Sequence, residues 1–124
     1  MRMKLRPETL AVARLDPHEP VPAWATAAAF WCIARSEEEL SVVCPEDRVP
    51  VEHHPVEYGW RALVLAGPIP FALTGVLASV LSPLAGAGIS IFAFSTFDTD
   101  YVLVRAAHLD ASLAALRDAG HVIL

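Results

Sequence analysis

The hydrophobic pattern in the second half of the chain changes period twice. Over residues 73–84, leucine and valine recur at steps of three and four, which is the spacing of one helical face. Over residues 89–96 the side chains alternate with period two, which predicts a strand. Both faces of this strand are largely apolar, so we expect both to be covered. A leucine stripe over residues 109–116 predicts a second helix, which ends at Gly120.

Three more strands are predicted at residues 58–67, 101–106 and 121–124. The order is then β-α-β-β-α-β, which makes the fold class α+β and ferredoxin-like, an antiparallel sheet with two helices on one face. We expect Gly86 or Gly88 to end the first helix. Pro83 should bend the last turn of that helix, because proline has no backbone N–H.

The first half of the chain has a weaker pattern. Residues 9–15 are a short candidate strand. Residues 29–36 and 39–45 are two apolar stretches about a charged turn, which predicts a β-hairpin. A polar, proline-rich segment follows, and we interpret it as the connection between two domains, residues 1–57 and residues 58–124.

Composition narrows the class of protein. Hydrophobic residues make up 55% of the 124 residues and charged residues 19%, which predicts a large core or an additional buried interface. The net charge is −5, and the lysines and arginines form no cluster. Since nucleic acids bind to basic surfaces, we expect no nucleic-acid partner.

No charged residue lies between Arg61 and Asp98, and this run is long enough to be tested as a membrane span. Glycines and prolines interrupt it at both ends, and each apolar piece is shorter than the roughly 20 residues that a spanning helix needs. The chain begins with basic residues, as a signal peptide does, but Glu8 and Arg14 interrupt the apolar stretch that follows. We therefore predict a cytoplasmic protein that does not bind membranes.

The cysteines and histidines of the chain give no clear signal of a metal site or of catalysis. Cys32 and Cys44 lie on the two strands of the predicted hairpin, where free buried thiols are expected and a disulfide is conceivable. His53 and His54 lie in the proline-rich connection, with no second ligand pair at a metal-binding spacing. His121 is interpreted as a structural residue.

The uncharged run ends in the segment FDTD, which brings Asp98 and Asp100 next to Ser95 and Thr96. Such a segment is a tight turn, a metal site, a catalytic pair or a ligand pocket. No third carboxylate or histidine is near in sequence, and the chain has no nucleophile elbow, phosphate-binding loop or dinucleotide motif. A hairpin turn in which aspartate binds the backbone and a ligand contact both stay open.

The segment SPLAGAGISIFAFSTFDTDYVLV, with ALRDAGHVIL at the end of the chain, resembles an ACT domain of the CASTOR type. That family comprises small bacterial proteins and the repeated modules of the animal arginine sensors. The resemblance covers residues 58–124, and the first half is similar, less specifically, to the degenerate N-terminal ACT-like half of the same bacterial proteins. It implies a ferredoxin-like ACT domain with a smaller degenerate ACT-like half packed beside it.

The resemblance also implies a site. ACT domains commonly bind amino acids near the loop after their first strand and the start of their second, here residues 67–74 and 88–96, with FDTD adjoining. The D-x-P-G turn of many ACT domains is absent, and GPIP stands in its place. The ligand-binding residues implied in this way are Gly67, Pro68, Ile69, Thr74, Gly88, Ile89, Ser90, Ser95, Thr96, Phe97, Asp98 and Asp100.

These residue types suit an amino acid, which carries an ammonium and a carboxylate. Asp98 or Asp100 would accept hydrogen bonds from an ammonium or guanidinium group. Of the two, Asp98 is the favoured ligand contact, and Asp100, at the start of a strand, is interpreted as a polar cap of the hairpin. Backbone N–H groups at Gly88 and in the first helical turn near residues 70–74 would favour the carboxylate.

The implied function is a non-catalytic regulatory module that binds a free amino acid or a similar small metabolite. It would need no cofactor and no metal, and it would form a homo-oligomer. Two alternatives stay open, namely a structural or protein-interaction ACT pair without a ligand, and a small enzyme that uses Asp98 or Asp100.

Overall fold

The computed structural model describes residues Met1–Leu124, which form seven strands and two α-helices. In chain order these are β1 (Arg2–Leu15), β2 (Cys32–Arg35), β3 (Leu40–Pro45), β4 (Val56–Leu65), α1 (Val76–Gly86), β5 (Ile91–Ser95), β6 (Asp100–Arg105), α2 (Leu109–Asp118) and β7 (Val122–Ile123). The longer helix has 11 residues, and neither helix has the length and hydropathy of a membrane-spanning segment.

The chain folds into two compact units. One, here called the helical unit, consists of Met1–Pro7 and Arg61–Leu124, and the other, here called the all-β unit, consists of Glu8–Trp60. Strands β1 and β4 therefore contribute residues to both units.

The helical unit has the predicted ferredoxin-like arrangement. Its strands lie in the order β7-β1-β4-β6-β5. Both helices contribute to one core cluster on the sheet, so the class α+β is confirmed. The fully or almost fully buried members of this cluster are Met3, Leu63, Leu65, Val80, Leu84, Val102, Val104 and Leu116.

The start of β1 adds a strand that the sequence prediction missed. Residues 2–7 lie between β4 and β7: the N–H of Ala66 donates to the carbonyl of Arg2 at 2.8 Å, and Arg2 pairs in parallel with Val122. The prediction that the first strand begins at residue 9 was wrong. The alternation of charged and apolar residues from Arg2 to Leu5, with Met3 buried in the core, is the period-two signal for this strand.

The end of α1 is a Schellman motif, as glycine at this position predicted. Gly88 has φ of 72° and donates its N–H to Ala85, while Ile89 donates to Leu84. The start of α1 differs from the prediction, because Leu73 lies before the helix and is exposed. Gly75, with φ of 76°, precedes the first helical residue and separates Leu73 from the stripe that it appeared to begin.

Strands β5 and β6 form an antiparallel hairpin whose register runs from Ile91 opposite Val104 to Ser95 opposite Asp100. Ile91 and Val104 pack on the core cluster beneath the helices. Since side chains alternate along a strand, Ser95 and Asp100 point to that same face, at the end of the hairpin.

The all-β unit contains the predicted hairpin of β2 and β3 and no α-helix. Its strands lie in the order β2-β3-β1-β4. A second core cluster lies on one face of them and comprises Ala11, Ala13, Leu15, Ala25, Leu40, Val42, Cys44 and Val49.

The conceivable disulfide between the two cysteines is ruled out by strand register. Cys32 lies opposite Val43, so Cys44 points to the other face of the hairpin, and both thiols are free. Burial, with a smaller contribution from the charge of Asp47, raises the pKa of Cys44 to about 11. Cys44 is therefore a protonated, unreactive core thiol at neutral pH.

Candidate functional site

A cleft of about 330 Å³ opens in the helical unit beside the start of α1. In a β-α-β crossover between parallel strands, the helix begins at the end of the sheet where both strands finish. The last residues of β4 and β5 and the first residues of β6 and α1 therefore meet at this edge. The cleft is lined by Ile69, Pro70, Phe71, Leu73, Gly75, Val76, Leu77, Ala78, Ser95, Thr96, Phe97, Thr99 and Asp100.

The first wall of the cleft is the loop of residues 66–75, here called the β4–α1 loop. The N–H of Ile69 donates to the backbone carbonyl of Asp98 at 2.7 Å. The hydroxyl of Thr99 donates to the carbonyl of Leu65 at 2.5 Å. These bonds fix the β4–α1 loop to the turn that forms the opposite wall.

Gly67 is the point of closest approach between the two walls. A Cβ atom on this residue would lie 2.8 Å from the carbonyl oxygen of Asp98 and 3.3 Å from the Cβ of Thr99. Only glycine fits here without a shift of the backbone.

The second wall is the turn of residues 96–99, here called the β5–β6 turn. The N–H of Thr96 donates to the carbonyl of Thr99 at 2.8 Å, which closes the turn. Immediately beside it, the hydroxyl of Ser95 donates to Oδ1 of Asp100 at 2.5 Å. Asp100 is the only charged residue that lines the cleft.

Two aromatic rings meet at the mouth of the cleft. Phe71 of the β4–α1 loop and Phe97 of the β5–β6 turn pack edge to face, with ring centroids 5.0 Å apart and an interplanar angle of 88°. Their side chains are nevertheless 76% and 79% exposed. The rings therefore contact each other across the two walls while most of their surface stays in water.

The N-terminus of α1 forms the floor on one side. Gly75 is the N-cap residue, so no side chain caps this end, and the first turn has no acidic residue. The N–H groups of Val76, Leu77 and Ala78 come before the first intrahelical bond, in which Ser79 donates to Gly75. These three residues line the cleft, so they bring the positive end of the helix dipole to it.

The structure brings together five of the twelve residues implied by the resemblance, namely Ile69, Ser95, Thr96, Phe97 and Asp100. The other seven do not line the cleft: Gly67, Pro68, Thr74, Gly88, Ile89, Ser90 and Asp98. Gly88 follows the C-terminal end of α1, and an 11-residue helix is about 16 Å long. Asp98 takes part through its backbone carbonyl, which accepts from Ile69. A role of any of the twelve in ligand binding stays a prediction.

Sequence reasoning did not single out Phe71 or Gly75 as cleft residues. It placed the first helical turn, with its free N–H groups, near residues 70–74, and this was wrong because α1 begins at Val76. The signal for Phe71 was its place in an otherwise uncharged loop between two prolines and a helix. No sequence signal pairs it with Phe97, because that contact depends on the backbone bond between Ile69 and Asp98.

The all-β unit has a second cleft, of about 360 Å³, between residues 14–19 and 53–55. Three of its polar side chains, Asp16, Glu19 and His53, bind the backbone of its own loops. Oδ1 of Asp16 accepts from the N–H of His18 at 3.0 Å, and Oε2 of Glu19 accepts from the N–H of Asp16 at 3.2 Å. Nε2 of His53 donates to the carbonyl of Arg14 at 3.0 Å. These hydrogen bonds show that Asp16, Glu19 and His53 stabilise the loops around this cleft.

Two models of known protein families match this chain. A family model described as an ACT domain matches residues 56–118, and a model of an N-terminal domain matches residues 8–52. Among curated proteins, the putative protein CASTOR3P of Homo sapiens is 30% identical over 91 residues, which are 64% of this chain and 56% of that protein. The match thus spans about half the length of this relative. The resemblance to the CASTOR type of ACT domain is confirmed.

Solved structures agree with the fold. The crystal structure of protein Atu0741 from Agrobacterium tumefaciens superposes with a TM-score of 0.93 at 41% identity, over 99% of this chain and 91% of that one. The regulatory subunit of aspartate kinase from Thermus thermophilus, in a ligand-free form, superposes with a TM-score of 0.63 at 14% identity, over 91% and 93% of the two chains. At such low identity the second likeness shows the fold alone.

Proposed function

This chain belongs to the ACT domain family, and from that membership we propose that it is a non-catalytic regulatory module that binds a free amino acid in the cleft of the helical unit. The observation that carries the proposal is the pairing of one carboxylate with one uncapped helix N-terminus in the same cleft. A zwitterion presents both complementary charges to such a pair.

The ammonium group of the ligand would bind at Asp100. One of its carboxylate oxygens accepts from Ser95, and carboxylates accept several hydrogen bonds, so the group can also bind an ammonium. The hydroxyl of Thr96 at the same wall donates to the carbonyl of Thr99 at 3.3 Å and accepts from its N–H at 3.4 Å, and its second lone pair would accept from the ammonium. A hydrogen bond to a charged group contributes about 1.5–3 kcal/mol. After the entropic cost of ordering the ligand, a few such bonds give at most micromolar affinity, which suits a sensor of metabolite levels.

The carboxylate group of the ligand would bind at the start of α1. The N–H groups of Val76, Leu77 and Ala78 have no intrahelical acceptor, and the helix dipole favours an anion there. No Lys, Arg or His side chain lines the cleft to compete for this role.

The proposal includes a cytoplasmic homo-oligomer whose association responds to the ligand. A ligand shifts such an equilibrium by as much as its affinity differs between the two states. The high hydrophobic content of the chain, 55%, supports an interface with further copies.

Thermal denaturation with each of the twenty amino acids tests the proposal. A ligand at 100 times its dissociation constant is expected to stabilise the protein by about 2.7 kcal/mol, which raises Tm by several degrees. Asp100→Asn keeps an oxygen that accepts from Ser95 but removes the charge, and it should weaken binding about tenfold or more.

The matched control is Asp98→Asn, because the side chain of Asp98 does not line the cleft and its backbone carbonyl is unchanged by the substitution. The ligand should raise the Tm of this variant as much as it raises the Tm of the wild type. If no amino acid at millimolar concentration changes Tm, the proposed function is wrong, and a structural or protein-interaction ACT pair takes its place.

A further inference from the structure

We propose that Phe71 and Phe97 are the specificity-determining residues of the cleft, and that they select an amino acid with an uncharged, apolar side chain. The inference rests on the proposed function, since it concerns the identity of the amino acid bound at the same site. It follows from the charge of the cleft and from the chemistry of its mouth.

The charge of the cleft excludes acidic side chains. Asp100 is the one charged lining residue, and no cationic side chain is present to bind a second carboxylate of the ligand. An aspartate or glutamate ligand would carry its extra negative charge into a site that already holds one. That charge would be partly desolvated without a partner, which is unfavourable.

A cationic side chain also lacks a partner. Binding of the ligand's own ammonium uses Asp100, one of whose oxygens already accepts from Ser95. The side chain of Asp98 does not line the cleft, so no second carboxylate remains for a lysine or arginine ligand. A cationic ligand side chain could instead bind to the faces of Phe71 and Phe97, since cations bind aromatic rings in proteins. The titration with arginine distinguishes this outcome from selection of an apolar side chain.

The mouth of the cleft offers apolar surface that is not yet buried. Phe71 and Phe97 expose 76% and 79% of their surface, and Leu73 beside them is also exposed. The two rings are held in one geometry by their edge-to-face contact and by the bond between Ile69 and Asp98 beneath them. An apolar ligand side chain would cover them, whereas glycine would leave them in water.

The test is isothermal titration calorimetry of the full chain with leucine, phenylalanine, glycine, arginine and glutamate. Leucine or phenylalanine should bind most tightly, glycine about tenfold or more weakly, and glutamate weakest. Burial of about 60 Å² of additional apolar surface corresponds to about a tenfold difference in affinity. Phe71→Ala and Phe97→Ala should each weaken leucine about tenfold and glycine less than twofold, while Phe71→Leu should restore most of the leucine affinity.

The outcomes separate this inference from the proposed function. If arginine binds most tightly, or if both alanine variants weaken leucine and glycine equally, the selectivity inference is overturned while amino-acid binding stands. If none of the five ligands binds and no other amino acid changes Tm, both proposals fail. Far-UV circular dichroism of the variants checks that they are folded, as expected for side chains that are mostly exposed.

Discussion

Replacing Gly67 with alanine is expected to destabilise the protein by about 1–3 kcal/mol. The new Cβ would lie 2.8 Å from the carbonyl oxygen of Asp98, and this oxygen is a backbone atom that accepts from Ile69. The methyl group would therefore push apart the two walls of the cleft. Urea denaturation measures the loss of stability, and ligand affinity should fall with it because the walls are displaced.

Gly86→Ala is the matched control. Gly86 lies at the end of α1, and a Cβ added there has no atom within 4 Å. Alanine has less conformational freedom than glycine in the unfolded chain and so loses less entropy on folding. This variant should therefore be as stable as the wild type or up to about 1 kcal/mol more stable. Equal stability of the two variants would show that the close approach at Gly67 is absent in solution.

Replacing His121 with leucine is expected to cost about 1–3 kcal/mol. His121 is 8% exposed, its Nε2 donates to the carbonyl of Ser79 at 2.8 Å, and its Nδ1 accepts from the N-terminal ammonium of Met1 at 3.0 Å. That carbonyl lacks its usual helical partner, because the residue four positions later is Pro83, which has no N–H. The histidine thus replaces the hydrogen bond that the proline removes from α1, and this explains its structural role.

A double-mutant cycle with Pro83→Ala tests this explanation by urea denaturation. Alanine at position 83 supplies the missing N–H, so the cost of His121→Leu should fall by about 1 kcal/mol in that background. His121→Gln, which can still donate from a nitrogen at a similar distance, should lose less than His121→Leu. An equal cost of His121→Leu in both backgrounds would show that Ser79 does not depend on the histidine.

Periodicity was sufficient to predict much of the helical unit. The step pattern of three and four located α1, and period two located β5, because in both elements the buried face repeats with the geometry of the backbone. The pattern misled at Leu73, where a leucine in helical register lies in a loop. At residues 2–7 the alternation of charged and apolar residues was present but was not interpreted as a strand.

The candidate site was predictable in position and less so in its residues. Which aspartate faces the cleft depends on the register of the hairpin, since a shift of one residue turns every side chain to the other face. The structure pairs Ser95 with Asp100, which turns the carboxylate of Asp100 toward the start of α1. Sequence alone did not give the length of the turn between them, so it favoured Asp98. The pairing of Phe71 with Phe97 likewise requires the three-dimensional contact between two loops.

The most direct test of amino-acid binding in the cleft is a titration of leucine into ¹⁵N-labelled protein, followed by backbone amide chemical shifts. We predict that the amides that move lie in residues 69–78 and 95–100, and that Asp100→Asn reduces the change at equal ligand concentration. Shifts confined to residues 14–19 and 53–55, around the second cleft, would contradict this account. An absence of shifts with leucine and with every other amino acid would contradict it as well.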